Sequence, residues 1–565
     1  MVNAPDHVDP EPSPALEHSL ALDVMLIRAA VGAGRSVPAP EILSWGGQLV
    51  RRPRATGRRL ADLARDAGRI GLGTAPPAPA DRRFSDRAWS SNGAYRRWVQ
   101  LHHATHRTAH RLLEDAALDD RATEKLSLLV DNVASALAPS NSPLNPAAIK
   151  EALDTGGASI LRGLRNFVED MSSAPRIPMM VDRSAFEVGR NLAVTPGHVV
   201  RRTELYELIQ YGASTERVYA TPLLMVPPTI NKYYALDLAP GRSVIEYLVA
   251  AGFQVFAVSW RNPTSRHAAL GLDAYVEAVI DALGTTRAIS GSSSTSAWGT
   301  CSGGIITAVA AAYLAAKGRG GEVETLTLPV TLLDQQVEGS SRVLLDADLA
   351  GLATTRSARK GYLDGAALSE VFAWLRPDDL VWRYWVNNYL MGRRPPAFDL
   401  LYWNADSTRM PAALHRDFID LALHNRLVEA GSLRCQGTPI DLGQVTVDAF
   451  VIGAAADHIT PWQSCYRSTQ LLGGKTEFVL SNSGHVAALV NPPDNPKAQY
   501  ERAVDTPADP DAFRASAEHH TGSWWPAYSA WLTARSGDLV PAPQQAGDPD
   551  HPPLCAAPGT YVHEK

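Results

Sequence analysis

The segment Gly299-Thr300-Cys301-Ser302-Gly303-Gly304 constrains the fold of this chain more than any other feature. A nucleophilic residue flanked by glycines two positions away is typical of a sharp turn from a strand into a helix. The glycines are needed because the backbone crowds at such a turn and the nucleophile must stay exposed. The pattern therefore predicts a nucleophile elbow with Cys301 at its tip.

A cysteine at the tip of this elbow points to acyl transfer rather than to hydrolysis. An acyl group held as a thioester stays activated, so an incoming alcohol accepts it in a downhill step. Transfer of an acyl group from a serine ester to an alcohol changes the free energy very little, and water competes for the same acyl group. The alternative interpretation of Cys301 is a small buried hydrophobe, which is what a cysteine among small residues usually is.

The residues around the elbow support the nucleophile hypothesis. Residues 303–317 (GGIITAVAAAYLAAK) predict an alanine-rich helix, and residues 322–333 (EVETLTLPVTLL) predict a buried strand. Residues 291–296 (GSSSTS) have little β propensity, so a strand directly before the elbow is not evident from composition. The elbow nevertheless stands immediately before a helix, as the turn requires.

Length and composition indicate a globular protein with more than one region. A chain of 565 residues predicts a main domain plus a substantial second region. Its 45% hydrophobic and 20% charged residues are typical of soluble proteins, and the net charge of -6 gives no general attraction to nucleic acid or anionic membranes. The uncharged stretch 288–316 is Ser, Thr and Gly in its first half, so it predicts a buried strand, elbow and helix rather than a membrane span.

The cysteines and the first residues favour a cytoplasmic protein. Cys301, Cys435, Cys465 and Cys555 are widely spaced and form no CxxC pair. This spacing argues against a disulfide framework or a zinc site and fits a reducing compartment. The first 18 residues are acidic and proline-rich, unlike a signal peptide, and predict disorder.

The order of predicted elements gives the domain organisation. From about Thr203 onward, strands alternate with helices, which predicts a mostly parallel α/β sheet; these elements include a strand over 218–226 and a helix over 272–283 that ends at Gly284. About a hundred aromatic-rich residues separate the strand that ends at Asp334 from the next one, too many for a simple connection, and predict a lid that excludes water. The predicted regions are a partly disordered N-terminal extension (1–80), a helical domain (81–200), an α/β catalytic domain (201–540) with a cap at about 335–440, and a C-terminal tail (541–565).

Three residues stand in the order that an α/β-hydrolase fold uses for its catalytic nucleophile, acid and histidine. Cys301 is followed by Asp457, just after the strand VDAFVIG, and by His485, just after the strand in TEFVLSNSG. Both late positions lie at the carboxyl ends of strands, where open α/β sheets build their sites. His485 would take the proton from Cys301, and Asp457 would orient the imidazole and stabilise its charge.

Other residues remain candidates for these roles. A single Asp or His after a strand is more often a cap or turn residue, and Asp334 also follows a strand and competes for the role of the acid. His198 and His415 are the next histidine candidates, and structural roles are favoured for both.

The oxyanion hole should use two backbone N–H groups, one of them from the residue after the nucleophile, which is Ser302. The second is expected from the loop after an early strand, here residues 227–231. Pro227 and Pro228 have no N–H to donate, so Ile230 or Asn231 is predicted to supply it.

Long sequence blocks in a fixed order resemble the poly(3-hydroxyalkanoate) synthases. The Cys-Ser-Gly-Gly of the elbow, WQSCYRS (462–468) and WNADSTRMPAALH (403–415) are similar to the single-subunit class II enzymes, which favour medium-chain monomers. The other blocks that carry the resemblance are VGRN (188–191), PPTINKYYALDL (227–238), SVIEYLVAAGFQVFAVSWRNP (243–263), DDLVWRYWVNNYLMG (378–392), GTPIDL (437–442), DHITP (457–461), FVLSNSGH (478–485), NPP (491–493) and SWWP (523–526).

The resemblance implies a reaction and a set of partners. The family's catalytic Cys, Asp and His fall on Cys301, Asp457 and His485, which would polymerise (R)-3-hydroxyacyl-CoA into a polyester with release of coenzyme A. In this reaction Asp457 would either orient His485 or help to deprotonate the attacking hydroxyl. The resemblance implies no metal or redox cofactor, a homodimer, and attachment to the polymer granule in the cytoplasm, with no nucleic acid and no transmembrane segment. The alternatives are a thioesterase, esterase or depolymerase of the same fold, or a non-enzymatic granule-coating protein with a vestigial site.

Overall fold

A computed structural model describes residues 26, 29–30, 38–172, 174–335, 347–375, 377–457, 459–503 and 505–565. The first 18 residues, for which disorder is predicted, lie outside the described residues. Internal contacts divide the chain into two compact units. The sheet unit comprises the described residues within 1–30, 184–365 and 402–565, and the helical unit comprises those within 31–183 and 366–401.

The α-helices are numbered in chain order. They are α1 (Ala39–Arg51), α2 (Pro53–Leu72), α3 (Arg87–Ser91), α4 (Gly93–Asp115), α5 (Asp120–Ala136), α6 (Pro146–Asp154), α7 (Ala158–Ser172), α8 (Val244–Ala250), α9 (Leu272–Ser290), α10 (Ser302–Ala316), α11 (Ala347–Lys360), α12 (Gly365–Leu375), α13 (Asp399–Asn404), α14 (Ala412–His424), α15 (Trp462–Arg467), α16 (Pro510–Ser516) and α17 (Trp525–Thr533).

The strands are numbered in the same way. They are β1 (Gly197–Arg202), β2 (Tyr206–Tyr211), β3 (Arg217–Tyr219), β4 (Leu223–Val226), β5 (Val255–Trp260), β6 (Thr295–Gly299), β7 (Val323–Pro329), β8 (Tyr362–Leu363), β9 (Met410–Pro411), β10 (Arg434–Cys435), β11 (Thr438–Pro439), β12 (Asp448–Ala454), β13 (Thr476–Ser481), β14 (Gln499–Arg502), β15 (Glu518–Thr521), β16 (Leu539–Pro541) and β17 (Cys555–Ala556).

Within the described residues, eleven strands form one mixed sheet in the order β15-β14-β13-β12-β7-β6-β4-β5-β2-β1-β17. The run from β13 to β5 is parallel, and the strands on either side are antiparallel. Every residue of β4, β5 and β6 is buried, as expected of central strands covered on both faces. Because parallel strands bring their carboxyl ends to one edge, the residues that follow β6, β12 and β13 meet there. The α/β architecture agrees with the sequence prediction.

Several predicted element boundaries are wrong. The strand predicted over 218–226 is split into β3 and β4, because Pro222 lies between them and has no N–H for the ladder. The helix predicted to end at Gly284 continues to Ser290 and ends at Gly291, which has φ +67°. Burial of the apolar residues of α9 outweighs the cost of a glycine inside a helix, which is about 1 kcal/mol. Residues 295–299 form β6 despite the low β propensity of the preceding stretch.

The predicted C-terminal tail contributes strands to the sheet unit. β17 pairs with β1 at the edge of the large sheet, and β16, which ends at Pro541, pairs with β3. The fully buried carboxylate of Glu207 accepts hydrogen bonds from the backbone amides of Thr560 (2.8 Å) and Tyr561 (2.9 Å) and pairs with Arg202. These contacts fix the end of the chain against the sheet.

The aromatic-rich segment that the sequence assigns to a cap belongs partly to the helical unit. Of its two π-helices, Trp385–Leu390 packs on α7, whereas Asp378–Trp382 contacts α5. Phe167 of α7 contacts the rings of Trp385 and Tyr389 edge to face, with centroids 6.0 Å and 5.4 Å apart. The lid role and the predicted domain boundaries stay predictions.

Candidate active site

Cys301 occupies a strained turn between β6 and α10. Its φ of 52° and ψ of -122° are unusual for a residue with a side chain, and such strain costs about 1–3 kcal/mol. The following helix begins at Ser302, and Cys301 itself is 3% exposed. A Cβ added to Gly303 would lie 2.7 Å from the carbonyl oxygen of Val226. The spacing of glycines in the sequence is therefore a requirement of this turn.

Asp457 and His485 are joined by a short hydrogen bond. Asp457 follows β12, His485 follows β13, and His485 Nδ1 lies 2.6 Å from Asp457 Oδ2. The Asp457 side chain is fully buried and that of His485 is 11% exposed. The other carboxylate oxygen of Asp457 accepts hydrogen bonds from the backbone amides of Ile459 (2.8 Å) and Thr460 (3.0 Å). The carboxylate is thus held from both sides.

The electrostatics of His485 connect this pair to Cys301. Burial by itself would lower the pKa of His485, but the charge of Asp457 and hydrogen bonds with Asp457 and Cys301 outweigh burial. Together they raise the pKa of the imidazole to about 10. The structure therefore brings the predicted nucleophile, acid and histidine together, with His485 between Cys301 and Asp457.

The loop predicted to complete an oxyanion hole packs against the first residue of α10. The backbone amide of Thr229 donates to Ser302 Oγ (3.0 Å), so that amide is already engaged. Ile230 and Asn231 follow in the same loop and are 5% and 7% exposed. The carbonyl oxygen of Ile230 accepts a hydrogen bond from the amide of Thr408 (3.1 Å), which fixes the path of the loop. Their role as oxyanion donors stays a prediction.

Comparison with family models gives two matches that overlap along the chain. The model described as "Poly-beta-hydroxybutyrate polymerase (PhaC) N-terminus" matches residues 80–248. The model described as "alpha/beta hydrolase fold" matches residues 222–492, which contain the elbow and the Asp457–His485 pair. The second match confirms the fold class predicted from the sequence.

Curated relatives resemble the chain over almost its whole length. Poly(3-hydroxyalkanoate) polymerase 2 of Ectopseudomonas oleovorans is 46% identical over 91% of this chain and 92% of the relative. Poly(3-hydroxyalkanoate) polymerase 1 of the same organism is 42% identical over 92% of this chain and 93% of the relative. The chain belongs to the poly(3-hydroxyalkanoate) polymerase family. Membership makes it an acyltransferase, and it confirms the resemblance found in the sequence.

A further polymerase relative agrees with this family assignment. Poly(3-hydroxyalkanoate) polymerase subunit PhaC of Cupriavidus necator is 39% identical over 86% of this chain and 83% of the relative. Among solved structures, a monoacylglycerol lipase of Paleococcus ferrophilus is 13% identical, covers 59% of this chain and 100% of its own, and has a TM-score of 0.32. The polymerase relatives therefore carry the assignment.

The other candidates for the catalytic acid and histidine of the polymerase have partners outside this site. Asp334 accepts hydrogen bonds from Asn425 Nδ2 (2.8 Å) and Arg467 Nε (3.1 Å). His415 is buried, and its Nδ1 lies 2.8 Å from Ser357 Oγ. Burial lowers the pKa of His415 to about 4, despite a hydrogen bond with a backbone carbonyl that opposes the shift. His198 lies on β1, in register with β2 and β17.

Thr460 is a site residue that the sequence interpretation missed. Its hydroxyl donates to Asp457 Oδ2 (2.6 Å) and lies 3.1 Å from His485 Nδ1. The signal was available, since Asp side chains after strands commonly accept hydrogen bonds from residues two or three positions later. A threonine at that distance from the predicted acid is therefore a detectable partner.

The sequence predicts that the uncharged stretch 288–316 forms a buried strand, elbow and helix rather than a membrane span. Among the helices of the described residues, each is too short or too polar to cross a bilayer. The uncharged stretch 288–316 contains the end of α9, the strand β6, the elbow and α10.

Proposed function

We propose that the chain polymerises (R)-3-hydroxyacyl-CoA into a polyhydroxyalkanoate polyester, with release of coenzyme A, through a covalent acyl-thioester on Cys301. The observation that carries this proposal is the placement of Cys301 on the strained elbow, where it interacts with His485, whose imidazole Asp457 holds. Membership of the polymerase family supports the choice of acyl group.

In the first half-reaction, His485 accepts the thiol proton and Cys301 becomes the thiolate, which is the reactive form. The raised pKa of His485 favours the imidazolium and so stabilises this charge-separated pair. The thiolate attacks the carbonyl carbon of the substrate thioester and forms a new C–S bond. The bond to the coenzyme A sulfur then breaks, and the imidazolium returns its proton to that leaving group.

In the second half-reaction, the hydroxyl of another hydroxyacyl unit attacks the acyl-thioester. A C–O bond forms, the bond to Cys301 breaks, and His485 moves the hydroxyl proton to the departing sulfur. Conversion of a thioester into an oxygen ester runs downhill, so the chain grows. Each cycle consumes one hydroxyacyl-CoA and releases one coenzyme A.

Asp457 is proposed to orient His485 rather than to activate the hydroxyl. A carboxylate offers about four lone-pair positions. Two backbone amides use one oxygen, while His485 and Thr460 use the other. With these positions filled, Asp457 is better suited to fix the imidazole and stabilise its charge than to bind a substrate hydroxyl.

The oxyanion of each tetrahedral intermediate is proposed to be stabilised by the backbone N–H of Ser302 and by that of Ile230 or Asn231. Ser302 is the first residue of α10, where N–H groups lack intrahelical partners and the helix dipole favours negative charge. The contact between Thr229 and Ser302 supports the proposal, because it fixes the loop against the start of that helix.

The partners and location follow from the family and are also proposals. We infer a homodimer in the cytoplasm that attaches to the granule surface of its own product. Apolar side chains exposed on α7 are suited to such a surface: Ile160, Leu161, Leu164 and Val168 are 58–72% exposed. Sedimentation with and without purified granules measures both the oligomeric state and the attachment. The class II preference for medium-chain monomers is tested by comparing chain lengths in the same assay.

The test of the reaction is release of coenzyme A from (R)-3-hydroxyacyl-CoA, together with identification of the acyl product. Wild type should release coenzyme A and form insoluble polyester, and Cys301→Ala should do neither. Cys555→Ala is the matched control, because that free cysteine lies on β17 at the edge of the sheet. Release of free hydroxy acid alone would instead establish a thioesterase, and unchanged polyester synthesis by Cys301→Ala would exclude the covalent mechanism.

A further inference from the structure

Two histidines of α4 and one aspartate of α5 converge in the helical unit, in residues that the proposed reaction does not use. His106 Nε2 and His110 Nε2 each lie 2.7 Å from the same oxygen, Oδ1 of Asp131. The two nitrogen atoms are 3.1 Å apart. Because residues four apart share one face of a helix, α4 presents both imidazoles side by side.

Hydrogen bonds alone do not account for this arrangement. An imidazole nitrogen either donates a proton or accepts one, and a carboxylate only accepts. If both nitrogens donate to Asp131, their 3.1 Å contact joins two donors. If His110 donates to His106 instead, the 2.7 Å contact between His106 and Asp131 joins two acceptors. With an ionised Asp131, one of the three short contacts therefore always joins either two donors or two acceptors.

A cation among the three atoms removes this conflict, because all three then present lone pairs to it. We propose that His106, His110 and Asp131 bind one divalent transition-metal ion, with zinc as the best-suited member of that class. Imidazole nitrogen and carboxylate oxygen bind zinc at about 2.0–2.2 Å, which places tetrahedral donor atoms roughly 3.3 Å apart. The observed separations of 2.7–3.1 Å would have to widen by about 0.2–0.6 Å to reach this spacing.

The surroundings of the three ligands match a site with an open position. Their side chains are 31–37% exposed, so water reaches the ion and completes its coordination. The ligand set is two imidazoles and one carboxylate without a thiolate, which suits zinc and its neighbours in the first transition row. The cysteine spacing argued against a zinc site because it considers thiolate ligands alone, whereas the His-x-x-x-His spacing on a helix is a known pattern for zinc ligands.

The ion would fasten α4 to α5 within the helical unit. The ligands come from two helices that are separated in sequence by a short turn, so binding closes a link between them. A metal that binds the folded chain and not the unfolded one raises the temperature of unfolding. This role is independent of the acyl-transfer reaction proposed above.

The test is calorimetric titration of the full-length, chelator-treated chain with zinc chloride. It is run in a Cys301→Ala background, because the thiol beside His485 and Asp457 would compete for zinc. One equivalent of zinc should bind, and His106→Gln and Asp131→Asn should each weaken binding at least about tenfold, since even loss of a residue that only supports a ligand costs 10–100-fold. His519→Gln is the control for adventitious binding, since His519 is exposed on β15.

If a ligand variant does not fold, a second measurement tests whether zinc binds at His106 and His110 without any substitution at these residues. Diethyl pyrocarbonate modifies accessible imidazoles, and peptide mass spectrometry locates the modified residues. In the Cys301→Ala chain, zinc should protect His106 and His110 while His519 continues to react. The proposal would be overturned if the chain failed to bind one equivalent of zinc, or if the ligand variants and the control bound zinc equally well. It would also be overturned if zinc bound without protecting these two histidines.

Discussion

Thr460 donates its hydroxyl to the same carboxylate oxygen of Asp457 that binds His485, at 2.6 Å in both cases. The backbone amide of Thr460 reaches the other oxygen of the carboxylate at 3.0 Å. One residue therefore restrains both oxygens of the acid, and the acid restrains the imidazole. This relationship makes Thr460 a positioning residue for the proposed reaction.

Replacing Thr460 by valine should lower kcat roughly 10–100-fold, since a hydrogen bond to a charged group contributes about 1.5–3 kcal/mol. Valine keeps the shape of threonine and the backbone amide, and it removes only the hydroxyl. Steady-state coenzyme A release across pH measures the effect, and the pH profile should move because His485 loses an orienting contact. Thr460→Ser should restore most of the activity. A valine variant with wild-type kcat and an unshifted profile would assign Thr460 a purely structural role.

Asp457→Asn should lower kcat by roughly 10²–10⁴-fold, because the neutral amide no longer stabilises the imidazolium of His485. Coenzyme A release under saturating substrate measures this loss. Asp334→Asn is the matched comparison, since Asp334 follows another strand and is bound to Arg467 and Asn425. The Asp334 variant should keep most of its activity. The reverse result would make Asp334 the acid.

The raised pKa of His485 predicts a pH dependence of stability. The ordinary pKa of histidine is about 6.5, and its value of about 10 in the folded chain means that protonated His485 stabilises the fold. This contribution is fully present below about pH 6.5 and is lost as the pH rises towards 10. The free energy of unfolding of wild type should therefore fall between pH 7 and pH 9.5.

The variant that isolates this effect is His485→Gln. Urea unfolding of both proteins at the two pH values gives the difference in stability, which should shrink as the pH rises. The same comparison in a Cys301→Ala background separates the contribution of Asp457 from that of the thiol. A difference that stays constant with pH would show that the imidazole is not charged in the folded chain.

Gly303→Ala should destabilise the chain by about 1–3 kcal/mol, as is usual when an atom is forced into a packed site. The added Cβ would lie 2.7 Å from the carbonyl oxygen of Val226 and would also meet that of Pro227. The midpoint of urea unfolding measures the loss. Gly321→Ala is the control, because its Cβ would meet nothing within 4 Å and its φ is not in the left-handed region. Equal midpoints for the two variants would contradict the crowding at the elbow.

The sequence determined the features that depend on neighbouring residues. The elbow at Cys301 follows from the spacing of its glycines, and Asp457 and His485 are recognisable because each follows a buried strand in the expected order. Ser243 caps the start of α8, where its side chain accepts a hydrogen bond from the amide of Glu246 at 2.9 Å, as serine directly before a helix commonly does. Long motifs in a fixed order carried the resemblance to the polymerase family.

The tertiary structure decided the features that join distant parts of the chain or depend on burial. Helix α9 continues past Gly284 because packing of its apolar face outweighs the local cost, and β17 joins the sheet edge through contacts with residues about 350 positions earlier. The meeting of His106 and His110 with Asp131 depends on how two helices pack. Local propensity is a property of a few consecutive residues, whereas these contacts are chosen by the burial of surfaces that only the folded chain brings together.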